Sequence, residues 1–356
     1  MTGLFKQIAL FAKRTFYLLL LLPGSLPLYA QLPPEEPEIQ RPLEKLQSSF
    51  YPEPKKPVKS FFWIVDKDTV SQNFFDQSGN DTLDIQYTLN RPVQKSLHTY
   101  SDNLKTGSRL FARDMLQSSG IFRYDKNGNL LEWTQERYSY DKNILLHDRT
   151  ETRRWIIEWN DRGRMKMKYS PDHTKAKTMV SEYRYDDSGR LTEIDQLQWK
   201  SLYEYKDGLP VRKTRVFKND GSVTAASDYT YDANGLLTGS ADNHYITAYG
   251  YETTGLLKNM TVMKKDDPAK RQDADFYYKD GLLSAVEVRY SDIGMIFVTP
   301  AFTMKNSDDL AFSWQPGQTN RVRMEFTYDG HGNVTEIKYF FNDRYRYGKF
   351  ALYEYY

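Results

Sequence analysis

Pairs of aromatic residues two apart, each followed by an acidic residue, a glycine three further on and a leucine two beyond that, recur along most of this chain. The stretch Tyr183 to Leu191, Y-R-Y-D-D-S-G-R-L, shows the pattern in full. In a strand, residues i and i+2 share a face, so Tyr183 and Tyr185 point one way and Arg184 the other. The Asp186 carboxylate can fold back onto backbone N–H groups, and Gly189 can take a positive φ at no steric cost, so the chain reverses there. A type I turn closed by a left-handed glycine predicts a short hairpin loop with a G1 bulge, after which Leu191 opens the returning strand.

The same pattern stands at F-R-Y-D-K-N-G-N-L (Phe122 to Leu130), Y-T-Y-D-A-N-G-L-L (Tyr229 to Leu237), Y-G-Y-E-T-T-G-L-L (Tyr249 to Leu257) and F-T-Y-D-G-H-G-N-V (Phe326 to Val334). Its turn residues are Asp125, Gly128, Asp186, Gly189, Asp232, Gly235, Gly255, Asp329 and Gly332, and their role is structural. In Tyr203 to Leu209 and Phe276 to Leu282 the loop shrinks to Asp-Gly, which suits a two-residue type I′ turn. Degenerate copies stand at Tyr138 to Asn143, Ile157 to Met165 and Phe74 to Asn80. From Tyr185 through Tyr205, Tyr231 and Tyr251 to Tyr278 the spacings are 20, 26, 20 and 27, a near-regular period that predicts units leaning on their neighbours. Second turn signals lie between these anchors, at Ser170-Pro171-Asp172, Asn219-Asp220-Gly221, Ala241-Asp242-Asn243 and Asp266-Asp267-Pro268. The fold class predicted is therefore all-β, an antiparallel meander of hairpin repeats forming one long twisted or curled sheet.

The Y-D-x-x-G-x-L unit resembles the YD repeat of the Rhs family, found in bacterial cell-surface and toxin-carrying proteins. The resemblance runs from about Phe122 to Val334. Large Rhs proteins wrap their repeats into a closed β shell around a C-terminal toxin, ended by a core motif containing Asp-Pro-x-Gly. Here Asp267-Pro268 is followed by Ala-Lys, so the chain is expected to share the repeat and not the toxin-delivery machine.

Outside the repeats, residues 1–30 hold Lys6, Lys13 and Arg14, no acidic residue, an apolar run from Phe16 to Leu22 and a terminal Leu28-Tyr29-Ala30. This is the layout of a secretory signal peptide cut before Gln31, with an uncleaved anchor as the alternative. The run is short for a membrane helix of about 20 residues, so no integral span is expected after cleavage. Residues 31–60 carry seven of the fifteen prolines, which predicts a semi-rigid leader: a tether, or a disordered segment of no special role. The β domain then spans 61–356. Phe61 to Val65 reads as a first strand buried on both faces. Asn90 to Gln117 is the least regular part before the repeats, and Val286 to Val322 interrupts them with Ile296 to Pro300 and Ala311 to Trp314. Tyr345 to Tyr356 alternates aromatic residues and closes the sheet.

Composition removes several function classes. No cysteine occurs, so there is no disulfide framework, and an exported chain must rely on its core. Loss of residues 1–30 removes three basic side chains and no acidic one, leaving 46 against 47, which gives no basic face for nucleic acid. The five histidines show no H-x-x-x-H spacing, and no metal site or cofactor is expected. A calcium reading of Asp125, Asn127 and Asn129 fails because Gly128 is fourth in such a loop rather than sixth, and turn chemistry explains these residues. Neither a Gly-x-Ser-x-Gly elbow nor a P-loop is present, so a catalytic site has no signature.

What remains is the aromatic ladder, 28 tyrosines among an aromatic content of 15%. It is either core, or in part an exposed platform for sugar rings, for which Trp133, Trp199 and Trp314 are the candidate residues. The expectation is an exported, non-enzymatic binding or scaffold protein of the bacterial cell envelope, periplasmic, outer-membrane-associated or extracellular, with a protein or polysaccharide partner. The alternatives are an outer-membrane β-barrel, against which stands a mean hydropathy of −0.72, and a glycan-active enzyme.

Overall fold

The computed structural model describes residues 58–65, 67–140, 147–161, 165–171, 177–291 and 319–356. The expected signal peptide, residues 1–30, and nearly all of the expected proline-rich leader lie outside these residues, as do Ile296 to Pro300 and Ala311 to Trp314. Among the described residues there is no helix. Twenty-two strands, from β1 (Val58–Val65) to β22 (Arg344–Tyr355), follow one another in a single antiparallel sheet.

Each strand pairs with the next in sequence, and β22 pairs with β1 through Phe61↔Tyr353, Trp63↔Ala351 and Val65↔Lys349. The ladder of described strands therefore returns to its start and leaves no free edge, which removes the aggregation hazard of an open repeat sheet. The interruption is shorter than the sequence suggests. β19 (Leu282–Tyr290) and β20 (Asn320–Tyr328) pair directly, Val286 opposite Met324 and Val288 opposite Val322. The stretch 90–117 is also regular: β4 (Arg91–Ser101), β5 (Leu104–Ala112) and β6 (Met115–Tyr124) are joined by type I′ turns at Asp102-Asn103 and Arg113-Asp114 that contain no glycine. Their φ values run from +49° to +64°; three of the four residues are Asn or Asp, which tolerate this region, and the fourth is Arg113, so the usual Gly signal is missing while the turn is not.

The hairpin loops are built as their residues predict. Asp125 Oδ1 accepts the N–H groups of Asn127 and Asn129 at 2.8 and 2.9 Å, and Gly128 N–H donates to the Asp125 carbonyl at 3.1 Å. Asp76, Asp232 and Asp329 capture their loops with the same bonds. These carboxylates are occupied by their own loops, which fits the turn reading. At 252 a glutamate replaces the aspartate; the two backbone bonds persist, but its longer side chain takes the Thr254 hydroxyl at 3.5 Å. The turn signals at 219–221, 241–243 and 266–268 lie at reversals between consecutive strands, as a meander requires.

One regularity was not legible in the sequence. Directly after each loop a second irregularity follows: Tyr185 pairs with Leu191 but Arg184 with Glu193, which leaves Thr192 as an extra residue. The step recurs after the other loops and puts positions one and four of each returning strand on the same face. Leu191 and Ile194, Leu257 and Met260, and Val334 and Ile337 are buried together for this reason.

In a closed ladder one face turns inward, and here it is the aromatic face. Val286, Val288, Met324 and Ile337 are completely buried. Two apolar clusters occupy that face, one from β16 (Tyr245–Tyr251) round through β22 and β1 to β2 (Asp68–Phe75), the other from β6 to β12 (Trp199–Lys206). The first strand corrects the sequence reading: Phe61, Trp63 and Val65 are buried, but Phe62 and Ile64 are only partly so. The outer face carries charges paired across strands, among them Arg154 with Glu132 at 2.8 Å, Lys200 with Glu193 at 3.2 Å and Arg321 with Glu287 at 3.1 Å.

Candidate functional site

The inner face is polar where the two apolar clusters leave a gap, on β2 to β5. β3 (Asp81–Thr88) follows the loop captured by Asp76, and the post-loop irregularity pairs Phe75 with Asp81 and Asn73 with Asp84. Strict alternation would send Asp81 and Asp84 to opposite faces; the extra residue at Thr82 brings both inward. On β4, His98 lies on the same face, and on β5 Lys105 pairs with Tyr100.

These residues occupy defined places in the repeat. Register for register, Asn73, Asp81, Asp84, His98 and Lys105 stand where the next unit of the same form has Tyr183, Leu191, Ile194, Tyr203 and Pro210. A third unit has Tyr249, Leu257, Met260, Phe276 and Leu283 there. Even the Lys105 carbonyl keeps the common role of accepting the next tyrosine hydroxyl, from Tyr124 at 2.8 Å. His98 to Leu104, H-T-Y-S-D-N-L, is thus a copy of the repeat that its missing first aromatic and missing glycine hide. An apolar side chain gains about 1.5–3 kcal/mol on full burial, which this unit forgoes at successive positions.

Three of these polar side chains are buried all the same, while Asn73 and Asp81 are partly buried. Asp84, His98 and Lys105 are 6%, 7% and 1% exposed. Asn73 Nδ2 donates to Asp84 Oδ1, and His98 Nε2 lies 3.4 Å from Asp84 Oδ2. Asp81 Oδ1, both imidazole nitrogens of His98 and Lys105 Nζ are buried with no hydrogen-bond partner among the described residues. Burial, then the charge of Asp84, pushes the Asp81 carboxyl far above the usual carboxylate range. Burial also brings Lys105 down to about 8 against the pull of Asp81 and Asp84. One ligand atom each from Asp81, Asp84 and His98 lie within 4.8 Å of one another. Two carboxylates and an imidazole are a donor set that suits divalent transition metals. The sequence offered one available signal, an Asp-x-x-Asp directly after a repeat loop where Leu130, Leu191, Leu257 and Val334 open other copies with an apolar residue three further on.

The tryptophans singled out from the sequence lie elsewhere. Trp133 stacks with Trp155 at 4.1 Å on one neighbouring strand and with Phe122 at 6.0 Å on the other, so rings flank it on both sides. Trp199 packs against Phe217 at 4.7 Å, with the Arg215 guanidinium 5.9 Å from its ring. The two are not brought together, and Trp314 lies outside the described residues.

No family model matches the chain, and no curated protein does. Among solved structures it is similar to TcdB2-TccC3 without its hypervariable C-terminal region, at 10% identity and a TM-score of 0.29, over 79% of this chain and 16% of that one. It is similar to a porin-like protein from Bacteroides uniformis at 9% identity and a TM-score of 0.27, over 84% of this chain and 98% of that one. A third likeness is to the Photorhabdus luminescens Tc holotoxin pore, at 12% identity and a TM-score of 0.22, over 78% of this chain and 19% of that one. The chain spans less than a fifth of the toxin chains it matches. Likenesses this distant carry no argument about what the chain binds or does.

Proposed function

We propose that this chain is an exported, non-enzymatic β-repeat protein of the cell envelope, a scaffold or binding module for a protein or polysaccharide. The observation that carries this reading is the division of the closed ladder into an inward aromatic face and an outward charged one. A lipid-facing barrel places an apolar row on its outer surface. Here the outer rows hold cross-strand ion pairs such as Arg154 with Glu132 and Arg289 with Asp275. Charges in those rows favour a water-facing ring over an outer-membrane barrel. The stacked surroundings of Trp133 fit a ladder that stabilises the sheet, which leaves a protein partner as the better supported choice.

The test is the behaviour of purified 31–356. The expected result is a monodisperse protein without detergent, released from envelope fractions by carbonate. Carbonate-resistant membrane association, with solubility only in detergent, would replace this reading with the barrel. Retention on a polysaccharide panel, lost on changing Trp133, Trp199 and Trp314 to Ala, would make the partner a glycan; no retention of either form sends the search to envelope proteins.

A further inference from the structure

We infer that Asp81, Asp84 and His98 form a binding site for a single divalent transition-metal ion of the zinc class. Three independent observations converge. One donor atom from each of the three side chains lies within 4.8 Å of the others, a separation that a single ion can bridge. The same side chains include Asp81 Oδ1 and the His98 nitrogens, buried without a hydrogen-bond partner among the described residues, a condition that native interiors rarely tolerate. The residues also replace, position for position, side chains that are apolar and buried in two other units of the same repeat. A local break with the pattern of the fold that leaves buried polar atoms unsatisfied marks a functional position.

The donor types narrow the ion. Imidazole with carboxylates suits Zn²⁺, Mn²⁺ or Fe²⁺, whereas Ca²⁺ and Mg²⁺ take all-oxygen shells. Three protein ligands leave a fourth position for water. Lys105 stands on the same inward face, with its Nζ buried and without a hydrogen-bond partner among the described residues. A buried positive charge beside the donors opposes a bound cation, so the lysine weakens metal binding without being a ligand.

The repeat itself supplies variants that keep the fold. Asp84→Ile and His98→Tyr install the residues that the Tyr183 unit carries at those places, and Lys105→Met removes the competing charge at similar volume. Co²⁺ and Zn²⁺ titrated into chelator-treated 31–356 provide the probe, read by calorimetry and by the visible d–d bands of bound Co²⁺. One equivalent is expected to bind, with affinity falling more than about 100-fold in Asp84→Ile and His98→Tyr and rising at least about tenfold in Lys105→Met. The d–d bands should vanish in His98→Tyr while circular dichroism is unchanged. No stoichiometric uptake by either the parent or Lys105→Met would overturn the inference, as would Co²⁺ spectra indifferent to His98→Tyr. The result is independent of whether the chain proves to be a scaffold or a membrane barrel.

Discussion

In most repeats the second aromatic residue is a tyrosine, and its hydroxyl has a fixed destination. Tyr205, Tyr251, Tyr278, Tyr328 and Tyr353 donate to the carbonyls of Leu191, Leu237, Leu257, Leu283 and Val334, residues at or next to the start of the preceding returning strands. Trp159 does the same with its indole N–H, to Leu130 at 2.8 Å. Tyr278→Phe keeps the ring and removes the bond, so it should lower stability by about 1 kcal/mol in urea unfolding, with an unchanged spectrum. Burial pushes the phenols of Tyr231, Tyr251, Tyr278 and Tyr328 up to about 12. A folded-state value above the unfolded one of about 10 gives stability that is complete below about pH 10 and lost as pH rises through about 12. Spectrophotometric titration should therefore show a late class of tyrosines that ionises together with unfolding.

At the scale of the hairpin, the aspartate loop is the unit that titrates in acid. Bonds from the Asn129 side chain and backbone hold the Asp125 carboxyl below its ordinary range, and bonds from the Arg190 backbone do the same for Asp186. A depressed folded value contributes stability above the unfolded pKa of about 4 that is lost as pH falls through the folded value. The midpoint in urea should drop as pH falls below about 4, and Asp186→Asn, which still accepts N–H bonds but does not titrate, should flatten that drop. The loop at 252 offers the reverse test. Aspartate is short enough to reach the loop N–H groups, so Glu252→Asp should add roughly 0.5–1 kcal/mol. Gly255 has a φ of +80° and open space within 4 Å of where a methyl group would stand, so Gly255→Ala should cost about 1–2 kcal/mol from backbone conformation alone.

For the whole molecule the decisive contact is the seam. Among the described strands, β1 and β22 are the only pair separated by nearly the full described chain, and Lys59 with Glu354 at 2.7 Å supports their register. The Tyr356 hydroxyl also donates to the Phe75 carbonyl. Removing 344–356 would expose β1 and β21 (Val334–Phe341) as unpaired edges. The shortened chain should self-associate in sedimentation velocity while the parent stays at one mass, because exposed strand edges pair with one another. A monomeric, folded shortened chain would show that closure is dispensable.

The local pattern by itself determined the all-β class, the meander and the loops at Asp125, Asp186, Asp232 and Asp329, because turn chemistry and i, i+2 alternation act within a few residues. It also placed an aromatic closing strand at 345–356. The glycine-free turns at Asp102-Asn103 and Arg113-Asp114 escaped it because Asn, Asp and even Arg113 take a positive φ there without a glycine to announce it. Only the tertiary structure decided that the ladder closes, since the pairing of β1 with β22 joins residues about 290 apart and depends on the accumulated curvature of every strand between. The Asp81, Asp84 and His98 cluster belongs with that second group. An extra residue after the loop turns an i, i+3 pair of aspartates to one face, and strand pairing carries the histidine beside them, which no spacing rule for a regular strand contains.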